Sequence, residues 1–123
     1  MKNVIGTTLK LCSKSPLTGY LRDGFCRRDQ RDKGLHLVAA IMTKKFLEFT
    51  KSRGNDLSTP NKAFGFPGLI PGDRWCLCAL RWMEAYEANC APPVVLEATN
   101  ERALDIVDLK YLLEKSHSPD HKS

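Results

Sequence analysis

The chain has 123 residues, of which 42% are hydrophobic and 27% are charged, and its formal net charge is +5. This length fits one domain with a single core, and no apolar run approaches the roughly 18 residues of a membrane-spanning helix. The first residues lack the continuous apolar segment of a signal peptide, so we expect a cytoplasmic protein without a membrane partner. The five cysteines are accordingly expected to be reduced thiols.

The positive charge is concentrated in the first half of the chain. Residues 1–53 contain 12 Lys and Arg against four Asp and Glu, whereas residues 54–123 contain seven against ten. Such asymmetry can indicate an acidic partner. In the stretch RDGFCRRDQRDK, residues 22–33, Asp alternates with Arg, which favours a solvated loop and argues against a nucleic-acid partner. No oligomeric state is predicted.

The chain is predicted to begin with a loop, followed by a strand and the first helix. Turn residues make residues 1–35 mostly loop, apart from a possible edge strand at residues 4–11. The apolar run LHLVAAIM, residues 35–42, has the length of a buried strand. Thr43 is the expected N-cap of a helix over residues 44–53.

Residues 54–73 are predicted to form a long, ordered, irregular loop. They contain four glycines and three prolines, but also five large hydrophobic residues that a flexible linker would not need. A packed cover over the core is one interpretation of this loop, and a ligand-binding loop is the other.

Residues 74–89 are predicted to be a helix that begins after an Asp73 cap. Six residues fall on one face at helical spacing: Trp75, Cys78, Ala79, Trp82, Ala85 and Tyr86. In a strand, Cys76 and Cys78 would share a face and could approach one metal ion, whereas a helix turns them apart.

The remaining segments complete the predicted fold. A short strand is expected at residues 94–98, Thr99 as a cap after it, and a helix at residues 108–115. The fold is therefore a single α+β domain over residues 1–115, in which a small sheet is packed by about three helices. Residues 116–123 are predicted to be a flexible tail.

Any reactive site is predicted where the loop of residues 54–73 meets the start of the following helix. There Cys76 would lie in the first turn beside Arg74, where the helix dipole and the positive charge favour thiolate. Cys76 is therefore the candidate nucleophile, and His36 the candidate base. Packing of Cys76 as a small buried hydrophobe is the alternative.

The same junction is a candidate ligand pocket, with aromatic walls that include Phe64 and polar groups that could also serve only to cap turns. The ligand-binding candidates are Asp23, Asn55, Asp56, Thr59, Phe66, Arg74 and Trp75. These features predict a small-ligand-binding protein or an enzyme of unspecified reaction. The alternative is a non-catalytic interaction module that binds an acidic partner through its basic N-terminal half.

No metal or other cofactor is predicted. The sequence lacks the paired C-x₂₋₄-C knuckles of structural zinc sites, and it has no GxGxxG, P-loop or HExxH motif. The alternative left open is a zinc site built from Cys12, Cys26, His36 and one of Cys76 and Cys78.

Five long blocks of sequence extend over residues 3–115: NVIGTTLKLCSKSPLTGYLRDGFC, GLHLVAAIMT, GNDLSTP, FGFPGLIPGDRWCLCALRW and APPVVLEAT. In these blocks the chain resembles a family of small, mainly bacterial proteins classed as a domain of unknown function. The resemblance implies no particular activity, substrate or cofactor. Alanine at or near Ala39 replaces a cysteine usual in the family, and Asn100 replaces a usual histidine. The resemblance therefore implies no metal site or catalytic mechanism that needs that cysteine or that histidine.

Overall fold

The computed structural model describes residues 1–117. Its regular elements are, in chain order, β1 (His36–Ile41), α1 (Lys44–Ser52), β2 (Arg74–Cys78), α2 (Ala79–Glu87) and α3 (Leu109–Glu114). Short 3-10 helices occupy Lys62–Phe64, Leu96–Ala98 and Glu101–Asp105. The predicted α+β class is confirmed.

The sheet has two strands, β1 and β2. They pair antiparallel, so that Ala39 is opposite Cys76 and Ala40 opposite Trp75, with an irregularity near His36. On the other edge of β1, Ile41 N–H donates to the Pro93 carbonyl at 2.9 Å, and Val95 N–H donates to the Ala39 carbonyl at 2.8 Å. Both edges of β1 are therefore hydrogen-bonded.

The two faces of this sheet contact different clusters. One face packs on the main core, to which β1 and β2 contribute Val38, Ala40, Trp75 and Leu77 and the helices contribute Phe46, Trp82 and Leu112. The opposite face covers a smaller cluster made of Cys12, Cys26, Ala39, Cys76, Val95 and Ala98. Ala39 and Cys76 thus lie in a different environment from the residues on either side of them in the strand, as the alternation of side chains requires.

The predicted helix over residues 74–89 is wrong in its first five residues. Arg74–Cys78 is a strand, and the helix begins at Ala79 without a side-chain cap. Asp73 instead accepts a hydrogen bond from Ile70 N–H in the preceding turn. Because Trp75, Cys76 and Leu77 are all buried, the strand shows no alternation, and periodicity alone could not distinguish it from a helix.

The predicted strand at residues 94–98 is also largely wrong. It is reduced to a bridge between Val94 and Ala40, and the chain then turns into the Leu96–Ala98 3-10 helix. The Thr99 hydroxyl donates to the Val95 carbonyl and accepts from Ala39 N–H, so it takes hydrogen bonds that a longer strand would have made. Asn100, rather than Thr99, caps the next helix.

The helices with clear capping residues are placed as predicted. The Thr43 hydroxyl accepts from Phe46 N–H at the start of α1, and the Asp108 carboxylate accepts from Lys110 N–H at the start of α3. The possible edge strand at residues 4–11 is wrong, because that segment forms only one isolated bridge, from Thr8 to Lys2.

The predicted tail begins with hydrogen-bonded residues. Ser116 pairs with Val94, and His117 N–H donates to the Val94 carbonyl at 2.7 Å. The rest of the predicted tail, residues 118–123, lies outside the described residues. Among residues 1–117, no helix has the length and apolar character needed to cross a membrane.

Candidate functional site

A cavity of about 520 Å³ opens where the loop of residues 54–73 faces the N-terminal loop and the sheet. This volume lies within the usual range of small-molecule sites. Its wall consists mainly of aromatic and polar side chains, namely Tyr20, Arg22, His36, Asn61, Phe64, Phe66 and Trp75, together with Gly19, Leu57 and Cys76.

His36 is held at the cavity by a buried carboxylate. Asp32 Oδ1 lies 2.7 Å from His36 Nδ1, and Asp32 Oδ2 accepts from His36 N–H at 2.8 Å. The Asp32 side chain is only 1% exposed, whereas that of His36 is 40% exposed. Because an ionised carboxylate only accepts hydrogen bonds, Nδ1 is the donor and Nε2 is the ring nitrogen left for a ligand.

The backbone beside His36 is unusual. Leu35 has a φ of 52°, a conformation that costs a branched residue energy. At Gly34, a Cβ atom would lie 2.8 Å from His36 Cε1, so only glycine leaves room for the observed ring position. Arg22, on the cavity wall, also has a positive φ of 56°. Two of the three non-glycine residues with positive φ in residues 1–117 thus lie at or next to this cavity.

Arg22 and Trp75 form one side of the cavity. The Arg22 guanidinium carbon lies 5.1 Å from the Trp75 ring centroid, and Nη1 donates to the Gly19 carbonyl at 2.7 Å. Phe66 packs edge-on against Trp75, with ring centroids 5.4 Å apart. On the other side, Tyr20 stacks on His36 at a centroid distance of 6.5 Å. Flat aromatic surfaces therefore lie next to Arg22 on one side of the cavity and next to His36 on the other.

A second cavity of about 310 Å³ adjoins the first and shares Arg22, Phe64 and Phe66 with it. Lys14 contributes to its wall. No Asp or Glu belongs to the wall of either cavity, and neither Arg22 nor Lys14 forms an ion pair with another residue in 1–117. The electrostatics of this region therefore favour an anion.

Three cysteines meet on the opposite face of the sheet from the main core. The sulfur atoms of Cys12, Cys26 and Cys76 all lie within 4.8 Å of one another, and all three residues are buried. Cys26 and Cys76 form a disulfide, whereas Cys12 is a free thiol. Burial raises the pKa of Cys12 to about 12, although the Arg74 charge acts to lower it. The expectation that all cysteines are reduced is therefore wrong for Cys26 and Cys76.

The cavity brings together five of the residues predicted for the site: His36, Phe64, Phe66, Trp75 and Cys76. Cys76 lies in β2 rather than at a helix N-terminus, so the dipole argument for its reactivity does not hold. Its sulfur is bonded to Cys26. A nucleophilic role stays a prediction for the reduced protein, and thiol-reagent kinetics with Cys76→Ser would test it.

Two of the other candidates do not line either cavity and bond elsewhere. Asp23 pairs with Arg27. Although burial acts to raise the pKa of Asp23, the hydrogen bonds from Phe25 N–H and Arg27 and the Arg27 charge hold it below its usual value. Asn55 donates to the Thr50 hydroxyl at 2.9 Å.

The remaining candidates also have local roles. Asp56 accepts from the Thr59 hydroxyl and from the Ser58 and Thr59 N–H groups, and these bonds hold the pKa of Asp56 below its usual value. Arg74 lies half-buried in β2, near enough to Cys12 for its charge to act on that thiol. Turn capping, the alternative explanation, thus describes the contacts of Asp56 and Thr59.

Sequence reasoning missed Asp32, Tyr20 and Arg22. Asp32 and Arg22 belong to the stretch interpreted as a solvated charged loop, in which Arg27 and Arg31 do pair with Asp23 and Asp29. One signal in the sequence could have indicated the role of Asp32. Asp32 lies four residues before His36, with Gly34 between them, and an Asp in this position often bonds the backbone of a tight turn.

A family model described as an uncharacterised protein conserved in bacteria, DUF2237, matches residues 2–116. The chain belongs to this family. Ala39 and Asn100 lie beside the three clustered cysteines: Ala39 is opposite Cys76 in the sheet, and the Asn100 side chain donates to the Cys26 carbonyl at 2.9 Å. A search of curated proteins finds no match.

Proposed function

We propose that the protein binds a small organic anion with a flat, apolar body in the cavity between Tyr20, His36 and Trp75. The observation that carries this proposal is the charge of the wall. Arg22 lines the main cavity and Lys14 the adjoining one, while no carboxylate lines either. Asp32 stands behind His36, where it orients the ring.

The aromatic residues give the ligand its shape. Trp75, Phe66, Tyr20 and Phe64 all contribute to the wall, and aromatic rings pack well against flat ligands. Phe64 is 80% exposed, which is unusual for a phenylalanine and leaves its ring available for contact. The Arg22 fork can bind a carboxylate or phosphate with two parallel hydrogen bonds.

Binding can be tested with 2-naphthoate as the anion and 2-naphthamide as its uncharged counterpart. The protein has two tryptophans, so the indole N–H signals of an NMR spectrum separate the cavity from the core. We expect 2-naphthoate to shift the signal of Trp75 and to leave that of Trp82, which is fully buried and bonded to the Pro92 carbonyl, unchanged. The amide should bind much more weakly.

Matched variants sharpen the test. Phe64→Ala should weaken 2-naphthoate binding by about 2- to 10-fold, whereas Ile70→Ala, an exposed residue of the same loop that lines neither cavity, should have no effect. Arg22→Gln should weaken it by roughly 10- to 100-fold. Equal binding of the acid and the amide, or shifts at Trp82 alone, would overturn the proposal.

Binding of an acidic partner by residues 1–53 remains a prediction. Association that weakens as salt is raised would support it, and association unaffected by salt would contradict it. A cytoplasmic location likewise remains a prediction, which fractionation of cells would test.

A further inference from the structure

The three cysteines of the sulfur cluster, Cys12, Cys26 and Cys76, come from three separate segments of the chain. They are brought together on one face of the sheet, in a small cluster with Ala39, Val95 and Ala98. A disulfide needs only two of the sulfurs, and both Cys26 and Cys76 lie within 4.8 Å of the third. The arrangement therefore offers three convergent soft ligands in a buried place.

The backbone of each cysteine is held independently of the disulfide. Cys12 N–H donates to the Gly24 carbonyl at 2.7 Å, and Cys76 N–H donates to the hydroxyl of the buried Thr18 at 2.8 Å. The Cys26 carbonyl accepts from the side chain of Asn100. Because these bonds do not involve sulfur, we expect the three side chains to stay convergent when the disulfide is reduced.

We propose that, in the reduced protein, Cys12, Cys26 and Cys76 bind one Zn²⁺ ion as thiolates. Zinc–sulfur bonds of about 2.3 Å in a tetrahedral site place sulfur atoms roughly 3.8 Å apart. The Cys26 and Cys76 sulfurs, bonded in the disulfide, must therefore move apart after reduction, to a spacing that stays within the 4.8 Å span of the three sulfurs. Cys76 belongs both to this cluster and to the cavity wall, and the cavity is therefore the side from which an exogenous fourth ligand would come.

The charge of the proposed site is also accommodated. Three thiolates and one Zn²⁺ leave a net charge of −1. Arg74 lies two residues before Cys76 in the same strand, and therefore on the same face of the sheet. A cation on that face lowers the cost of burying a negatively charged site.

Formation of the site requires reduction of the Cys26–Cys76 disulfide. A dithiol reductant supplies two electrons and two protons, becomes a disulfide itself, and leaves two cysteine thiols. Zn²⁺ then replaces the protons of all three thiols and releases them to solvent. In the test, a phosphine serves as the reductant: it becomes a phosphine oxide, with its oxygen taken from water.

The experiment uses the full chain, reduced by the phosphine without oxygen and supplied with Zn²⁺ alone. After removal of unbound metal, zinc and free thiols are counted, and the melting temperature is measured with and without Zn²⁺. We expect one zinc per chain, protection of three thiols from a thiol reagent, and a higher melting temperature with Zn²⁺. Co²⁺ in place of Zn²⁺ should show thiolate charge-transfer absorption.

The matched variants are Cys12→Ser and Cys78→Ser. Cys78 lies on the same strand as Cys76 but outside the cluster, so Cys78→Ser should bind zinc like the unaltered protein. Cys12→Ser should lose stoichiometric binding, and circular dichroism of its oxidised form, which keeps the Cys26–Cys76 disulfide, checks that it folds. Absence of zinc in the unaltered protein, or equal loss in both variants, would overturn the proposal. Binding of 2-naphthoate to the oxidised protein is measured separately, so its failure leaves this test unaffected.

Discussion

Asp32 holds both the ring and the backbone N–H of His36, with oxygens 2.7 and 2.8 Å from the two nitrogens. We predict that Asp32→Ala lowers the free energy of unfolding by about 1–3 kcal/mol, because the His36 N–H loses its partner. Urea denaturation measures this. Asp29→Ala is the matched control, since Asp29 also pairs with a neighbour, Arg31, but one whose side chain is 72% exposed, and it should cost less. An equal loss of unfolding free energy in Asp32→Ala and Asp29→Ala would contradict a particular role of Asp32 in holding His36.

Gly34→Ala should displace the His36 ring, because the added Cβ would lie 2.8 Å from Cε1. The expected result is a changed NMR signal of the His36 ring and weaker binding of 2-naphthoate. The control is a double-mutant cycle with His36→Ala. Once the ring is absent, alanine at position 34 should have no further effect on binding, and an equal effect in both backgrounds would argue against the steric explanation.

Reduction of the Cys26–Cys76 disulfide should destabilise the fold substantially. The two residues are separated by 50 positions, and a loop of this length corresponds to about 4 kcal/mol of lost chain entropy in the unfolded state. The measurement is urea denaturation with and without the phosphine, with a chelator present to exclude zinc. Cys78→Ser should respond like the unaltered protein, whereas Cys26→Ala/Cys76→Ala should be insensitive to reductant.

Tyr86 should titrate late at alkaline pH. Its hydroxyl donates to Glu114, and this hydrogen bond, burial and the Glu114 charge raise the pKa of Tyr86 from 10.0 to about 12. Folding therefore favours the neutral phenol, so the stability from this contact is complete below about pH 10 and is lost as the pH rises through about 12. Ultraviolet absorbance of tyrosinate follows the titration.

Two variants test the origin of this shift. Glu114→Gln keeps a hydrogen-bond acceptor but removes the negative charge, so the late titration step should move to lower pH. Tyr86→Phe should remove that step altogether. A late step that persists in Tyr86→Phe would assign it to another tyrosine.

The parts of the fold that the sequence predicts correctly have local signals. Thr43 and Asp108 cap α1 and α3 because their side chains bond N–H groups two or three residues away, and such bonds depend on neighbouring residues alone. The β1 run is equally clear, since an uninterrupted apolar stretch of that length is typical of a buried strand.

The strand at Arg74–Cys78 lacks such a signal. Whether this segment forms a strand or a helix depends on β1, which lies more than 30 residues earlier and pairs with it through backbone hydrogen bonds. The same limitation applies to the site. Phe64 and Phe66 of the aromatic wall could be predicted from the composition of the loop, but the contact between Cys12, Cys26 and Cys76 results from the packing of distant segments. Pairwise spacing along the chain does not encode it.

Trp75 and Cys76 are consecutive in β2, yet one packs into the main core and lines the cavity while the other is bonded to Cys26. A disulfide quenches the emission of a nearby indole, and Trp82 lies elsewhere in the core as a constant background. We therefore expect the fluorescence of Trp75 to rise when the Cys26–Cys76 disulfide is reduced, so that the protein itself would report its oxidation state without an added dye.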